Sequence, residues 1–191
     1  MAARRSVVVT GTSTGIGWAC VKVLVASGFH VFGSVRKQAD AERLSKEFGA
    51  NFTPLIFDVT DEAAVAAAAN MVEAVLDGVT LFGLVNNAGI TVPGPLLYLK
   101  VDDFRHQIAV NLTGPLIVTQ AFAPLLGADR ARQGAPGRIV MIMAVRRSAP
   151  NVHSPESGQQ GSSTPNRHRR RQSFRWSRTA ARCIVLSVVH P

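Results

Sequence analysis

The sequence is poor in cysteine and in long apolar runs, and both shortages exclude classes of protein. Only two of the 191 residues are cysteines, Cys20 and Cys183, which is too few for a disulfide framework and gives no spacing typical of a metal or redox site. No stretch approaches the roughly 18 consecutive apolar residues that a membrane-spanning helix needs. The apolar run at 7–9 is too short for the hydrophobic region of a signal peptide. We therefore expect reduced thiols, a cytoplasmic location and no association with a membrane.

Acidic residues are scarce in one part of the chain only. The whole sequence has 21 Lys and Arg against 12 Asp and Glu, a formal net charge of +9. Residues 1–138 contain 12 basic and 11 acidic residues, whereas residues 139–191 contain nine arginines and a single acid, Glu156. The basic character therefore belongs to the C-terminal part and gives no reason to expect nucleic-acid binding by residues 1–138.

Large apolar side chains are scarce in the same C-terminal part. The segment 145–183 contains very few of them, together with three prolines. A segment of this composition cannot bury enough apolar surface to offset the entropy lost on ordering. The sequence therefore predicts one folded domain over residues 1–144, an Arg/Ser/Pro-rich disordered segment over 145–183, and a further short strand within 184–191.

Residues 1–144 alternate between patterns typical of strands and patterns typical of helices. Short apolar or β-branched runs predict strands, and apolar residues every three or four positions predict helices. Strictly alternating elements need crossover connections, which predict an α/β fold with a doubly wound parallel sheet. The expected strands are 6–10, 30–35, 52–59, 81–85 and 137–144, and the expected helices are 16–27, 40–48, 60–76 and 102–126.

A glycine-rich turn joins the first predicted strand to the first predicted helix. It runs from Thr10 to Gly17 as TGTSTGIG, with glycines in the spacing G-x-x-x-G-x-G. Glycines permit a tight turn and a close approach of the backbone to a pyrophosphate, and the N terminus of the following helix presents free N–H groups to the anion. Taken alone, the turn fits a nucleotide-binding loop and an ordinary tight turn equally well.

Three further polar motifs accompany the turn, and all except Asn111 lie at the carboxyl ends of predicted strands. Asp58 ends the third predicted strand, an Asn86-Asn87-Ala88-Gly89 motif follows the fourth, and Asn111 lies within the long predicted helix. Open α/β sheets bind ligands beyond the carboxyl ends of their strands. Each motif also has a purely structural interpretation, as a helix cap, a turn or a polar helical residue. Their coincidence with the glycine-rich turn favours a nucleotide site.

These motifs resemble those of the short-chain dehydrogenase/reductase family, which are NAD(P)-dependent oxidoreductases with a Rossmann fold. The resemblance covers residues 5–143 through the sequences TGxxxGIG, DV, NNAG and VN. It implies hydride transfer between a nicotinamide cofactor and a small carbonyl or alcohol substrate. The family usually forms dimers and tetramers through helices that include the atypical region of this chain, so the resemblance leaves open whether this chain is a homo-oligomer. It also implies cofactor contacts from three regions: Gly11, Ser13, Thr14, Gly15, Ile16 and Gly17 in the turn, Asp58 and Val59 at the adenine, and Asn87, Ala88 and Gly89 after the fourth strand.

The end of the second predicted strand bears on the choice between NADP and NAD. An NAD-preferring site usually has an acid there that binds the ribose 2′-hydroxyl. This chain has no acid at that position and instead has Arg36 followed by Lys37, two cations that can bind a 2′-phosphate. The sequence therefore predicts NADP as the cofactor over NAD. The alternative is that Arg36 and Lys37 are an exposed pair at the start of the next helix.

The catalytic residues that the resemblance implies are mostly missing. The family uses a Tyr and a Lys four residues later as its acid–base pair, a Ser after the fifth strand, and an Asn in the preceding helix. Asn111 matches the Asn, but Met143 and Ala144 stand where the Ser is expected. The only tyrosine is Tyr98, and no lysine follows Lys100. We therefore predict that this chain is inactive as an enzyme.

The length of the segment 145–183 is close to the family's usual separation between the fifth and sixth strands, but its composition is different. Translation out of frame or mis-splicing would produce this pattern, and we favour either over a divergent insert. The alternatives to an enzyme are a non-catalytic NADP(H)-binding remnant or partner subunit and, least favoured, nucleic-acid binding. The last would use the basic run 168–171 with the aromatic residues Phe174 and Trp176.

Overall fold

The protein forms a six-stranded β-sheet whose strands alternate along the chain with helices. The computed structural model describes residues 5–144 and 181–187, with the backbone alone described for 143–144 and 181–187. The strands are β1 (Ser6–Val9), β2 (His30–Val35), β3 (Phe52–Ile56), β4 (Gly83–Asn86), β5 (Arg138–Ala144) and β6 (Ala181–Ser187). The helices are α1 (Gly15–Ala26), α2 (Gln38–Phe48), α3 (Glu62–Leu76), α4 (Val101–Ile108) and α5 (Gly114–Phe122).

The sheet order is β3-β2-β1-β4-β5-β6, and the pairs β1–β2, β2–β3, β1–β4 and β4–β5 are parallel. The chain first builds outward from β1 to β3 and then returns to the other side of β1 to place β4. The direction of winding therefore reverses between β1 and β4, and such a switch point opens a crevice at the carboxyl ends of the two strands. The predicted doubly wound α/β fold is confirmed.

The apolar strands form two core layers because successive side chains point to opposite faces of the sheet. Val8, Phe32 and Leu84 pack in the layer that also contains the buried side chains of α3 and α5. Val7 and Val31 pack in the second layer, against residues of α1 and α2. Each face of the sheet is thus covered by its own pair of helices.

Three predicted elements differ clearly from the observed ones. β4 begins at Gly83, two residues late, since Leu81 donates its N–H to the carbonyl of Leu125 instead of to a neighbouring strand. β3 ends at Ile56, three residues earlier than predicted, although Phe57 still donates its N–H to the carbonyl of Val35 on β2. The predicted helix 102–126 is divided into α4, a π-helical turn over Ala109–Thr113, α5 and a final 3-10 turn.

The proposed division of the chain at residues 144 and 183 stays a prediction. The disordered segment was predicted over 145–183, of which residues 145–180 lie outside the described part of the chain and residues 181–183 belong to β6. The basic run 168–171, Phe174 and Trp176 also lie outside the described part. In the described ranges no helix is both long enough and apolar enough to cross a membrane.

Candidate nucleotide-binding site

A pocket lies at the switch point between β1 and β4, at the carboxyl ends of the strands. Its cavity volume of about 340 Å³ is in the range of small-molecule and cofactor sites. Ten of the thirteen predicted cofactor residues line it, whereas Gly15, Gly17 and Lys37 do not. The lining residues are Gly11, Ser13, Thr14 and Ile16, then Ser34, Val35 and Arg36, then Phe57, Asp58 and Val59, then Asn87, Ala88, Gly89, Ile90 and Val110.

The glycines of the turn have separate structural tasks. Gly11 has a φ of +69°, and a Cβ on it would lie 2.8 Å from the Cα of Ala88, so the turn packs directly against the segment after β4. A Cβ on Gly17 would collide with the carbonyl of Gly11 and with the side-chain amide of Asn87. Gly17 therefore lets α1 begin against the turn, although it does not itself border the pocket.

The start of α1 is open to an anion. Thr14 occupies the capping position with an extended backbone, and its side chain makes no capping hydrogen bond. Asp61, at the equivalent position of α3, does cap its helix by accepting a hydrogen bond from the N–H of Ala64 at 3.0 Å. The first N–H groups of α1 thus lack the side-chain cap that α3 has, which leaves them available to a bound anion.

Hydrogen bonds join the turn to the strands on its two sides. On the β2 side, Ser34 accepts the N–H of Gly11 on its hydroxyl at 3.0 Å and the N–H of Thr12 on its carbonyl at 2.9 Å. On the β4 side, the hydroxyl of Thr10 accepts the N–H groups of Asn87 and Ala88, both at 2.9 Å. Sequence reasoning missed Ser34 as a site residue, because only the fold brings a residue 23 positions away beside the turn.

Asn87 uses its side chain to hold the turn. Its Nδ2 donates to the carbonyls of Thr10 at 2.9 Å and of Gly11 at 3.0 Å. The amide group of this predicted cofactor residue is therefore already engaged on the protein side. Asn87 presents mainly its backbone to the pocket, together with Ala88 and Gly89.

Asp58 is fixed at the pocket rim as a charged carboxylate. Its Oδ1 accepts hydrogen bonds from the N–H of Thr60 at 3.0 Å and from the Thr60 hydroxyl at 2.7 Å, and its Oδ2 lies 3.8 Å from Nη1 of Arg36. Partial burial alone would raise the pKa of Asp58, but the hydrogen bonds from Thr60 and the charges of Arg36 and His106 outweigh that effect and lower the pKa below its ordinary value. The Thr60 bonds leave Oδ2 free to face Arg36.

The two predicted cations at the end of β2 occupy different places. Arg36 lines the pocket, and its side chain is 68% exposed. Its guanidinium is therefore accessible to a ligand in the pocket. Lys37 is the residue that precedes the first turn of α2, and it does not line the pocket. Of the two predicted cations, the structure therefore places only Arg36 at the pocket.

Asn111, the one predicted catalytic residue, lies in the π-helical turn and does not line the pocket. Its Nδ2 donates to the carbonyl of Ile90, and its Oδ1 accepts the N–H of Ile90, both at 2.8 Å. The side chain thus uses both of its polar atoms to bind the backbone of Ile90, a residue of the pocket lining. A π-helical turn at such a place is common at functional sites.

The remaining catalytic residues are missing from the described site. Tyr98 is 78% exposed before α4 and does not line the pocket. Met143 and Ala144, which stand where the family Ser is expected, are described by their backbone only, and residues 145–180 lie outside the described part of the chain. Within residues 5–144 and 181–187, no group of three or more His, Cys, Asp or Glu is placed to bind a metal ion.

The described fold is that of a Rossmann-type α/β protein. The profile of the short chain dehydrogenase family matches residues 5–155 of the sequence. The chain therefore belongs to the short-chain dehydrogenase family.

Similar proteins include enzymes with different substrates. An NADPH-dependent 3-dehydrocapnine reductase of Ornithobacterium rhinotracheale is 38% identical over 138 residues, which are 72% of this chain and 48% of that protein. Human retinol dehydrogenase 5 is 37% identical over 73% of this chain and 42% of its own length. The crystal structure of NADPH-bound carbonyl reductase from chicken fatty liver has a TM-score of 0.60 and 35% identity, and the match covers 64% of this chain and 52% of that one. The chain spans about half the length of the relatives it matches.

Proposed function

We propose that this chain binds NADP(H) in the pocket at the switch point, as the cofactor-binding half of a short-chain dehydrogenase/reductase. The observation that carries the proposal is the N terminus of α1, which has no side-chain cap and lies beside the pocket residues Ser13, Thr14 and Ile16. This feature suits a pyrophosphate, which needs free N–H groups.

The residues of the pocket suit a dinucleotide as a set. We expect Ser13, Thr14 and Ile16 to border the pyrophosphate and ribose, and Asp58 and Val59 to border the adenine. Asn87, Ala88 and Gly89 would border the remainder of the cofactor through their backbone. When bound, the nicotinamide would supply a hydride for a carbonyl or accept one from an alcohol.

Arg36 supports NADP over NAD. Its guanidinium lines the pocket at the end of β2, where an NAD-preferring site usually has an acid. The similar 3-dehydrocapnine reductase is named as NADPH-dependent, and the similar carbonyl reductase contains NADPH. Lys37 keeps a smaller role in the proposal, because it lies outside the pocket lining.

We propose that this chain does not turn over a substrate. Hydride transfer needs an acid or base beside the substrate oxygen, and the given sequence holds no Tyr-x-x-x-Lys. The single tyrosine, Tyr98, lies away from the pocket lining. Asn111, which the resemblance matches to the family's catalytic Asn, is proposed to position the backbone of Ile90 through its two hydrogen bonds.

Two measurements test the proposed function. Equilibrium titration of the purified chain with NADPH and with NADH should show micromolar binding of NADPH and weaker binding of NADH. An assay of NADPH oxidation with a panel of small aldehydes and ketones should show no turnover above the rate without protein. No binding of either dinucleotide would contradict the first part, and steady turnover would contradict the second.

We also propose that the chain forms a homo-oligomer, and an exposed apolar stripe that runs from α4 through the π-helical turn into α5 supports this proposal. The stripe consists of Phe104, Ile108, Leu112 and Leu116, which recur every four residues and are 39% to 64% exposed. Apolar side chains clustered on one surface favour association.

Light scattering tests this proposal. We expect the chain to elute from gel filtration as a dimer or larger, and Leu112→Lys with Leu116→Lys to yield monomers. Val23→Lys, an exposed position on α1 outside the stripe, should leave the oligomer intact. A monomeric wild-type chain would contradict the proposal.

A further inference from the structure

The middle of the glycine-rich turn is held differently from its beginning. Gly11 and Thr12 are bound to Ser34 on β2, the strand beside β1. The carbonyl of Ser13 instead accepts a hydrogen bond from Nη2 of Arg43 at 2.6 Å. Arg43 lies on α2, 30 residues away in sequence, and was not among the predicted site residues.

The guanidinium of Arg43 is fixed by acids on its own helix. Nη2 lies 3.2 Å from Oδ1 of Asp40, and Nη1 lies 3.7 Å from Oε2 of Glu47. These residues are three positions before and four positions after Arg43, where side chains of a helix meet. A guanidinium held by two carboxylates points in a defined direction, and this direction is toward the Ser13 carbonyl.

The same network reaches the start of α1. Oε1 of Glu47 accepts the indole N–H of Trp18 at 3.0 Å. Trp18 follows the turn directly and also packs against Phe48, with 6.4 Å between the ring centres. We call the set Asp40, Arg43, Glu47 and Trp18 the α2 clip. Its hydrogen bonds connect both ends of the segment 13–18 to α2.

We propose that the α2 clip is a positioning device for the nucleotide, with Arg43 as its central residue. It holds Ser13 and the residues after it in the conformation that borders the pyrophosphate, so that a ligand does not have to order them on binding. The inference rests on the proposed function for the identity of the ligand. Because the pyrophosphate is common to both cofactors, Arg43 sets the affinity for NADPH and NADH alike, unlike Arg36.

The clip differs from an ordinary surface ion pair in what it touches. Exposed Arg–Asp pairs contribute little to stability, and the Arg105–Asp102 pair on α4, at 2.9 Å with the same three-residue spacing, is one of them. Arg43 adds a short bond to the backbone of a pocket residue. Replacing Arg43 should therefore loosen the conformation of the turn and lower the ligand affinity, while the melting temperature stays almost unchanged.

The experiment compares Arg43→Gln with two matched controls. Arg105→Gln removes an ion pair of the same spacing elsewhere, and Lys46→Gln removes one positive charge from α2 without touching the clip. Hydrogen exchange of residues 13–18 is measured in the ligand-free chain, and dissociation constants are measured for NADPH and NADH. We expect Arg43→Gln to speed exchange at residues 13–16 and to weaken both dinucleotides by a similar factor, roughly threefold to tenfold. Neither control should do so.

A second variant guards against a folding defect in the first. Glu47→Gln keeps an acceptor for Trp18 but removes the charge that orients Arg43, and it should act in the same direction with a smaller effect. Unchanged exchange at residues 13–16 in both variants would overturn the inference. So would a loss of affinity confined to NADPH, which would mean that Arg43 contacts the 2′-phosphate, or an equal loss in Lys46→Gln, which would mean a general charge effect.

The proposed function and the inference fail separately. If the wild-type chain binds neither dinucleotide, the proposed function is wrong, and the exchange experiment alone decides whether Arg43 orders the turn. If the wild type binds but Arg43→Gln changes neither exchange nor affinity, the proposed function stands and the α2 clip is only a surface network.

Discussion

The two walls of the pocket are held in place by different kinds of interaction. The wall after β4, which we call the neutral wall, uses only uncharged groups: the amide of Asn87 bound to Thr10 and Gly11, and the amide of Asn111 bound to Ile90. The wall beside β2, which we call the charged wall, has charged and partly exposed groups in addition to the neutral bonds of Ser34, namely Arg36 with Asp58 and the α2 clip. The neutral wall should therefore determine whether the site forms, and the charged wall should determine what it binds and how tightly.

The largest expected effect is at Gly17 of α1, which packs against Asn87 of the neutral wall. Gly17→Ala places a Cβ against the carbonyl of Gly11 and the amide of Asn87, and we expect it to lower the free energy of unfolding by about 3 kcal/mol. Denaturant unfolding followed by circular dichroism measures this. The matched control is Gly94→Ala, because a Cβ on Gly94 meets no atom within 4 Å. Equal stability of the two variants would contradict the packing argument.

Asn87→Ala tests the hydrogen bonds of the same wall. The variant leaves the carbonyls of Thr10 and Gly11 without their donor, and we expect a loss of about 2 kcal/mol in the free energy of unfolding. Binding of both dinucleotides should weaken together. Asn70→Ala, at an exposed position of α3, provides the comparison and should change stability by less than about 0.5 kcal/mol. A stable Asn87→Ala chain would show that the wall does not depend on this amide.

Arg36→Asp tests the charged wall. We expect the ratio of the NADPH to the NADH affinity to fall by about tenfold or more, equivalent to about 1.4 kcal/mol, because the favourable charge at a 2′-phosphate becomes repulsive. Titration with both dinucleotides measures the ratio. Lys37→Gln should change it far less, since Lys37 does not line the pocket. An unchanged ratio in Arg36→Asp would remove the argument for NADP.

The smallest expected effect is the pH dependence that Asp58 confers. The pKa of Asp58 is lowered in the folded chain, so its contribution to stability is present above the unfolded pKa of about 3.9 and is lost as the pH falls through the folded pKa. We expect Asp58→Asn to be slightly less stable than the wild type at pH 7. The difference should close below about pH 4. Unfolding curves from pH 7 to pH 3 measure it, and a difference that grows in acid would have the wrong sign.

Much of the fold was accessible from local patterns. Alternating strands and helices predicted the doubly wound sheet, and the predicted helix 60–76 is observed as α3 over Glu62–Leu76. The start of β4 differed because it is set by a partner distant in sequence. Leu81 was predicted as strand because it is apolar, but its N–H is taken by Leu125.

The candidate site, like the fold, was predicted from local motifs only in part. Motifs at strand ends brought ten predicted residues to one pocket, because parallel strands place their carboxyl ends at one edge. The same motifs did not distinguish Arg36, which lines the pocket, from Lys37, which does not. Arg43 carried no signal at all, since an arginine flanked by acids on a helix usually belongs to an exposed surface.

The sequence by itself determined the family, the parallel sheet and the edge of the sheet at which a ligand would bind, because these follow from periodicity and from the position of short motifs relative to strands. The tertiary structure alone decided which atoms of those motifs are available. It engages the amide of Asn87 with the turn, the amide of Asn111 with Ile90, and the guanidinium of Arg43 with Ser13. The physical reason is the short reach of a hydrogen bond: a distance near 3 Å between residues 21 to 77 positions apart is fixed by packing and cannot be read from local sequence.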